Sequence, residues 1–265
     1  MQLTKHHGLG NDFLVLLDLD ATTTIDAELA RSLCHRRMGV GADGLIRVSP
    51  GTDGADVTMT LRNADGSLAE MSGNGIRCLA QAVARARGAE VLGLTVATGG
   101  GRRRVGVAPG PDPLTAWVEV DMGPARPGPG DWLVDVGLDP ATKMATVDLG
   151  NPHLVLLVDD PAAVDLAELG PRLAERFDHG TNVEVVAPDP NRHDTLVLRV
   201  WERGAGITQA CGTGAAAAAH ACHGWGLVGE RVVVRMPGGE LEVHLGASVT
   251  LVGPATFVAD VEVPV

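Results

Sequence analysis

Gln209-Ala210-Cys211-Gly212-Thr213-Gly214 stands directly before five alanines, Ala215 to Ala219, followed by His220, Ala221, Cys222 and His223. Alanine is the strongest helix former, so a helix is expected to begin near Gly214 with Cys211 at its N-terminus. Unpaired backbone N–H groups and the positive end of the helix dipole meet at such a place. It is a setting that binds anions and that lowers the pKa of a cysteine. A second reading, a small buried cysteine in a tight turn, is left open by this stretch alone.

Moving outward, the same pattern occurs twice. Leu9-Gly10-Asn11-Asp12-Phe13-Leu14-Val15-Leu16-Leu17 aligns with Leu149-Gly150-Asn151-Pro152-His153-Leu154-Val155-Leu156-Leu157. Gly41-Ala42-Asp43 aligns with Gly180-Thr181-Asn182, Asn63 with Glu202, and Thr98-Gly99-Gly100 with Pro237-Gly238-Gly239. Ser72-Gly73-Asn74-Gly75 aligns with Cys211-Gly212-Thr213-Gly214. Every match falls at an offset of 139 or 140 residues and in the same order, which chance Gly-rich turns do not produce. The chain therefore reads as two copies of one α/β unit, each with a Gly-x-Gly turn opening a helix. With the copies related by a pseudo-twofold axis, both helix N-termini are expected to point into one cleft, positions 72 and 211 approaching a ligand from opposite sides. The domain boundaries are placed at 1–114 plus 256–265 and at 115–255, the Pro109-Gly110-Pro111-Asp112-Pro113 stretch serving as the linker.

Composition narrows the function. At 265 residues with 45% hydrophobic and 20% charged side chains, the chain is globular. A net charge of −12 argues against a nucleic-acid or anionic-membrane partner. No apolar run is long enough to span a bilayer, and the N-terminus lacks a signal-peptide core, so a cytoplasmic protein is expected. Its four cysteines form no CxxC pair and no zinc spacing and are expected to be thiols. Gly39-Val40-Gly41-Ala42-Asp43-Gly44 matches GxGxxG, but a helical pattern precedes it and a strand follows, the reverse of a dinucleotide fingerprint. It is read as a helix end and turn. The helices are expected over 24–38, 76–87 and 164–177, the last interrupted near Gly170-Pro171. The closing strands are expected at 249–251 and, separately, 256–265.

Two proton-transfer groups on opposite faces of one carbon are what stereoinversion requires. An amino-acid Cα–H is a very weak acid, so its carbanion-like transition state needs fixed donors in a dry cleft. Two helix N-termini on a substrate carboxylate would supply them. No lysine stands in a cofactor-binding setting and no metal-ligand spacing is present, so neither cofactor nor metal is expected.

With these residues in view, the chain resembles the diaminopimelate epimerase family. The resemblance rests on Lys5 with His7-Gly8-Leu9-Gly10-Asn11-Asp12-Phe13, on Asn63-Ala64-Asp65-Gly66-Ser67, on Gly73-Asn74-Gly75-x-Arg77, and on Gly150-Asn151-Pro152-His153. It continues in Glu202-Arg203-Gly204-Ala205-Gly206 and Thr208-Gln209-Ala210-Cys211-Gly212-Thr213-Gly214. It implies an α/β (α+β) fold of two similar domains, each a curved, mostly antiparallel sheet round a central helix. It implies cofactor-independent inversion of one stereocentre of LL-diaminopimelate to the meso form, a precursor of lysine and peptidoglycan, by a homodimer. The resemblance makes Cys211 one catalytic acid/base, with His153 and Glu202 assisting proton transfer. It implies substrate contacts from Asn11, Asn63, Asn151, Asn182, Glu202 and Arg203, and a carboxylate held by the N–H groups of Gly73, Asn74, Gly212 and Thr213. The planar guanidinium of Arg203 suits a distal carboxylate. Asn11, Asn63 and Asn182 also read as turn residues, and His153 as a satisfied core histidine.

One position departs from the pattern. The family's first catalytic cysteine falls at position 72, and here Ser72 stands. A serine hydroxyl is a far weaker acid than a thiol, and Cys78 lies too far along the helix to replace it. Ser72 is read as an introduced change, as a natural residue activated by its neighbours, or as the mark of a relative: a racemase or isomerase of another amino acid, or an impaired amino-acid binder.

Overall fold

A computed structural model describes residues 1–129 and 143–264. Gly130, which ends the Pro/Gly-rich stretch that begins at Pro124, lies outside the described residues. The chain divides into two compact units, Met1–Asp121 with Val252–Val265, and Met122–Leu251. The divisions fall inside two strands, later than the boundary read at Leu114 and earlier than that read at Ala255.

The first unit runs β1 (Gln2–Gly8), β2 (Asn11–Leu17), α1 (Ala27–Cys34), β3 (Gly44–Pro50), β4 (Val57–Asn63), β5 (Leu68–Ala69), α2 (Gly73–Ala86), β6 (Leu92–Thr98), β7 (Gly101–Pro109) and β8 (Thr115–Gly123). The second runs β9 (Arg126–Pro127), β10 (Met144–Asp148), β11 (Pro152–Leu157), α3 (Leu166–Ala174), β12 (Asn182–Pro188), β13 (Thr195–Glu202), β14 (Gly206–Thr208), α4 (Gly212–Gly224), β15 (Arg231–Met236) and β16 (Gly239–His244). β17 (Val249–Glu262) crosses the division and closes the first unit by pairing antiparallel with β1.

The strand pairings repeat as the sequence does. β1–β2 and β10–β11 are antiparallel. β2–β3 and β11–β12 are parallel. β3–β4 and β12–β13 are antiparallel again, β4–β6 and β13–β15 parallel, and β6–β7 and β15–β16 antiparallel. Within its own unit each sheet folds round one helix. α2 packs against β1, β2, β3, β4 and β7, and α4 against β10 to β13, β15 and β16. A helix so enclosed has no solvent face. Ala215 to Ala219 are all fully buried, and methyl side chains are what let strands approach α4 from every side. Smaller cores lie under α1, around Leu14, Leu33 and Leu45, and under α3, around Leu154, Leu169 and Leu173.

Three local expectations are corrected. α1 is shorter than the 24–38 stretch. Asp26 caps its start by accepting from Leu29 N at 2.8 Å. Its end is closed when the N–H groups of Val40 and Gly41 return to Leu33 O, with Gly41 at φ +81°. α3 is not interrupted at Gly170-Pro171. Leu166, Leu169 and Leu173 are buried along one stripe, and that packing outweighs the one hydrogen bond Pro171 forfeits. Gly170 is there because a Cβ would lie 2.4 Å from Trp201 Cγ. Finally, β17 is a single strand through Gly253 and Pro254.

His6 is fully buried on β1. Its Nδ1 lies 2.8 Å from Gln81 Oε1 and its Nε2 2.9 Å from Thr4 Oγ1. Gln81 spends its amide N–H on Leu114 O, so Gln81 Oε1 accepts, Nδ1 carries the ring hydrogen, and Nε2 accepts from the Thr4 hydroxyl. Burial pulls the His6 pKa down to about 4, against 6.5 in an unfolded chain. Below pH 6.5 the unfolded chain therefore binds a proton that the folded one refuses, and stability falls with pH.

Two outcomes are expected. Gly170→Ala lowers stability by about 1–3 kcal/mol by overpacking against Trp201, read as a lower urea midpoint at unchanged slope; an unchanged midpoint contradicts the contact. Between pH 6.5 and 4 the unaltered chain loses about 3 kcal/mol more than a His6→Gln variant, measured by urea titration at each pH; parallel losses contradict it.

Candidate active site

Each unit opens its central helix in the same way. Ser72 caps α2 with φ −141° and ψ 120°, and its Oγ accepts from Gly75 N at 3.0 Å. Cys211 caps α4 with φ −129° and ψ 116°, and its Sγ accepts from Gly214 N at 3.3 Å. One orphan donor of the first turn is thus satisfied by the residue before the helix. The N–H groups of Gly73 and Asn74, and of Gly212 and Thr213, begin their helices and have no intrahelical acceptor. The glycines three residues after each cap leave little room for a side chain. A Cβ on Gly75 would stand 3.1 Å from Ser72 Cβ, and one on Gly214 would stand 2.7 Å from Glu184 Oε1 and 3.3 Å from Cys211 Sγ.

In the first unit the cap is held by a buried arginine. Arg77 is wholly inaccessible and donates to Gly73 O at 2.9 Å, Asn74 Oδ1 at 2.8 Å and Pro254 O at 3.1 Å. All three acceptors are uncharged, and burial pulls the guanidinium pKa down to about 10. Room for it exists because residue 8 is glycine; a Cβ there would lie 2.8 Å from Arg77 Nη2. Since Asn74 Oδ1 accepts from Arg77, Asn74 Nδ2 donates, to Asn11 Oδ1 at 3.1 Å. Asn11 Nδ2 then donates to Asp43 Oδ2 at 2.8 Å. Asp43 and Asp12 share Arg36 at 2.5 and 2.7 Å, and Lys5 stands 2.9 Å from Asp12. Burial would raise the Asp12 pKa, but hydrogen bonds from Arg36 and Lys5 hold it below the usual carboxylate value. Asn63 sits in the turn, donating its Nδ2 to Ser67 Oγ at 3.0 Å.

The second unit carries the ionisable equipment. His153 and Glu184 are fully buried, with Nδ1 to Oε1 at 2.7 Å. His153 Nε2 lies 3.1 Å from Asn151 Oδ1, Asn151 Nδ2 lies 3.3 Å from Thr213 Oγ1, and Thr213 Oγ1 lies 3.4 Å from Cys211 Sγ. Glu202 is hydrogen-bonded by Cys211 and by the Thr208 hydroxyl. Burial raises the Glu202 pKa, only partly offset by those two bonds. Asn182 is buried, its Nδ2 on Pro152 O at 2.9 Å and its Oδ1 accepting from Arg203 N at 3.0 Å. Arg203 also donates to His179 O at 3.0 Å.

The structure corrects one expectation about Cys211. The helix N-terminus does not leave it a ready thiolate. Burial, then the charges of Glu202 and Glu184, push its pKa well above the ordinary thiol value, and the bonds from Thr213 and Gly214 offset this only in part. Cys211 rests as a thiol with an acceptor carboxylate beside it. Cys78, in α2, is buried and pushed up to about 12, in keeping with a purely packing role.

Of the expected residues, the structure gathers Cys211, His153, Glu202, Asn151 and Thr213 into one hydrogen-bonded cluster and joins Gly73, Asn74 and Asn11 into another through Arg77, while Ser72 bonds Gly75 N at the same helix start. Asn63 stands apart from the second cluster's bonds, and Asn182 and Arg203 are engaged with one another. Glu184 and Arg77 were given no role in the sequence reading. A lone acid within Val183-Glu184-Val185-Val186, an otherwise apolar strand, is the signal that marks the first. Comparison of the repeats marks both. The positions matching His153, Glu184 and Glu202 hold Phe13, Leu45 and Asn63, and the position matching Arg77 holds Ala216. Among the described residues, no group of three or more His, Cys, Asp or Glu side chains is arranged to hold a metal ion.

Comparison with known proteins agrees with this arrangement. The sequence profile of the family described as diaminopimelate epimerase matches residues 3–127 and 145–258. A diaminopimelate epimerase of Synechococcus elongatus is 41% identical over 260 residues, covering 92% of this chain and 90% of its own. One from Desulfitobacterium hafniense is 40% identical over 276 residues, covering 97% and 96%. Among solved structures, a probable proline racemase from Agrobacterium radiobacter superposes with a TM-score of 0.77 at 18% identity, covering 99% of this chain and 92% of its own. That likeness speaks for the fold alone. The profile match over most of the chain and the 41% and 40% identity to those two epimerases lead to one conclusion: the chain belongs to the diaminopimelate epimerase family.

Proposed function

We propose that the chain epimerises LL-diaminopimelate to the meso form by cofactor-independent proton transfer at the α-carbon. One group comes from each repeat, Cys211 and the residue at position 72. The observation that carries this reading is the pair of matched caps. Each places a side-chain heteroatom on the third N–H of a buried helix, beside two further N–H groups suited to a carboxylate. Asn11, Asn63, Asn151, Asn182, Glu202 and Arg203 are proposed to bind the substrate, and Gly73, Asn74, Gly212 and Thr213 its reacting carboxylate.

On the second unit's side the chemistry follows from the resting protonation. Cys211 holds a proton it can deliver to the carbanion. In the reverse direction it takes one, and Glu202, already its hydrogen-bond partner, is placed to receive the thiol proton first. On the first unit's side Ser72 offers only a hydroxyl, so its anion is far harder to form than a thiolate. Arg77, buried without a carboxylate partner, favours negative charge at that helix start, which is the environment a thiol at position 72 would use. This supports an enzyme slowed by Ser72. An impaired binder of the same amino acid is the second reading, favoured by Ser72 alone. Retention of the Cys211–Glu202–His153 cluster supports the enzyme, because binding needs no thiol.

We also propose a cytoplasmic homodimer supplying lysine and peptidoglycan precursors. Its four free, buried thiols suit a reducing compartment; the dimer rests on the family resemblance. No helix among the described residues is long and apolar enough to cross a membrane.

The test is deuterium incorporation at the α-carbon of diaminopimelate in heavy water. Ser72→Cys is expected to raise inversion by at least ~10²-fold, the usual contribution of a positioned acid or base. Absence of exchange in both the unaltered chain and the variant overturns the assignment.

A further inference from the structure

The two buried histidines differ in one respect that fixes their protons. His6 has an acceptor on one side and a hydroxyl donor on the other, so a neutral ring satisfies both. His153 faces two oxygens, Glu184 Oε1 at 2.7 Å and Asn151 Oδ1 at 3.1 Å. An amide oxygen only accepts, so Nε2 carries a hydrogen. A second proton must lie between Nδ1 and Oε1, because bare lone pairs at that distance would repel. The pair is imidazolium with carboxylate or imidazole with carboxylic acid, and in both forms its net charge is zero.

The other carboxyl oxygen argues the same way. Among the described residues Glu184 Oε2 is buried with no hydrogen-bond partner, a costly state for half of an isolated carboxylate. Burial accordingly raises the Glu184 pKa. The ionisable groups that meet here are His153 from β11, Glu184 from β12, Glu202 from β13 and Cys211 before α4.

From His153 outward the bonds run one way. Nε2 donates to Asn151 Oδ1, which turns Asn151 Nδ2 to Thr213 Oγ1 at 3.3 Å. The Thr213 oxygen, accepting there, has its own hydrogen for Cys211 Sγ at 3.4 Å. Gly214 N adds a second donor to the sulfur. We propose that Glu184 is a positioning residue for Cys211: its buried carboxyl keeps His153 a donor on both sides, and so orients Asn151 and Thr213 to donate toward the sulfur when the thiolate forms. This deepens the epimerase reading and rests on it only for the consequence in turnover.

The charge of Glu184 taken by itself raises the Cys211 pKa, so where charge outweighs orientation its removal frees the thiolate. If it acts by orienting donors, its removal withdraws them. The two give opposite signs in Glu184→Gln. A neutral glutamine accepting from Nδ1 leaves Nε2 bare, which turns the Asn151 amide and breaks the run. Alkylation of Cys211 by iodoacetamide at pH 8, followed by mass spectrometry of the Cys211 peptide, is expected to slow by about tenfold, the effect of one pKa unit. Unchanged or faster alkylation overturns the proposal. Should Glu184→Gln fail to fold, nitrogen-15 NMR of the unaltered chain decides: His153 Nε2 is expected to bear its hydrogen throughout pH 6–9, and a bare Nε2 anywhere in that range overturns it. Neither measurement uses turnover, so an absence of epimerisation would fail the functional reading and leave this one standing.

Discussion

A backbone N–H at the start of a buried helix must find an acceptor, and this fold meets that need twice with the residue before the helix. α2 and α4 are enclosed by their own sheets, and Gly75 and Gly214, whose N–H groups close each first turn, are buried. Ser72 and Cys211 supply the acceptor. The glycines at 75 and 214 stand where side chains crowd the cap, since a Cβ at 75 would press on Ser72 Cβ and one at 214 would meet Glu184 Oε1 first. The enclosure also explains α4's alanines. A helix wrapped on all sides carries small side chains where strands come close. A reactive atom at the helix start is thus a by-product of the architecture, available in each copy.

What distinguishes the copies is charge. In the first turns of α2 stands Arg77, buried and, among the described residues, bonded to neutral acceptors. Beside α4 stand Glu184, Glu202 and His153. One helix start favours an anion; the other holds a protonated thiol among carboxyl groups. Stereoinversion by two groups needs one base and one acid at the same moment. The repeated scaffold with unlike buried charges separates those roles. Ser72 leaves this arrangement in place and removes the acidity that would exploit it.

Much of this was legible from the residues. The offset of 139 or 140 between the copies announced two units, and the strand pairings repeat in the same order. Cys211, His153 and Glu202 were marked by motif, and they meet. What the sequence could not convey is the environment. A helix N-terminus predicts an acidic thiol, yet burial and two carboxyl groups win at Cys211. Gly170-Pro171 predicts a break in α3, yet three buried leucines carry the helix through, and Trp201 requires the glycine. β17 reads through Gly253-Pro254 because its partners, not its propensities, define it. Glu184 belongs to no motif, and only its contact with His153 gives it a role.

Cys211 is the proposed proton-transfer group, and the matching position of the other repeat holds a hydroxyl, Ser72. The most direct measurement is the ratio of α-proton exchange to inversion in heavy water, taken separately from LL- and meso-diaminopimelate with Ser72 in place. A single competent proton-transfer group serves one face of the α-carbon, so exchange is expected to outrun inversion, and to do so for one isomer only. Exchange and inversion at equal rates from both isomers would contradict it, since Ser72 would then be a base as competent as a thiol.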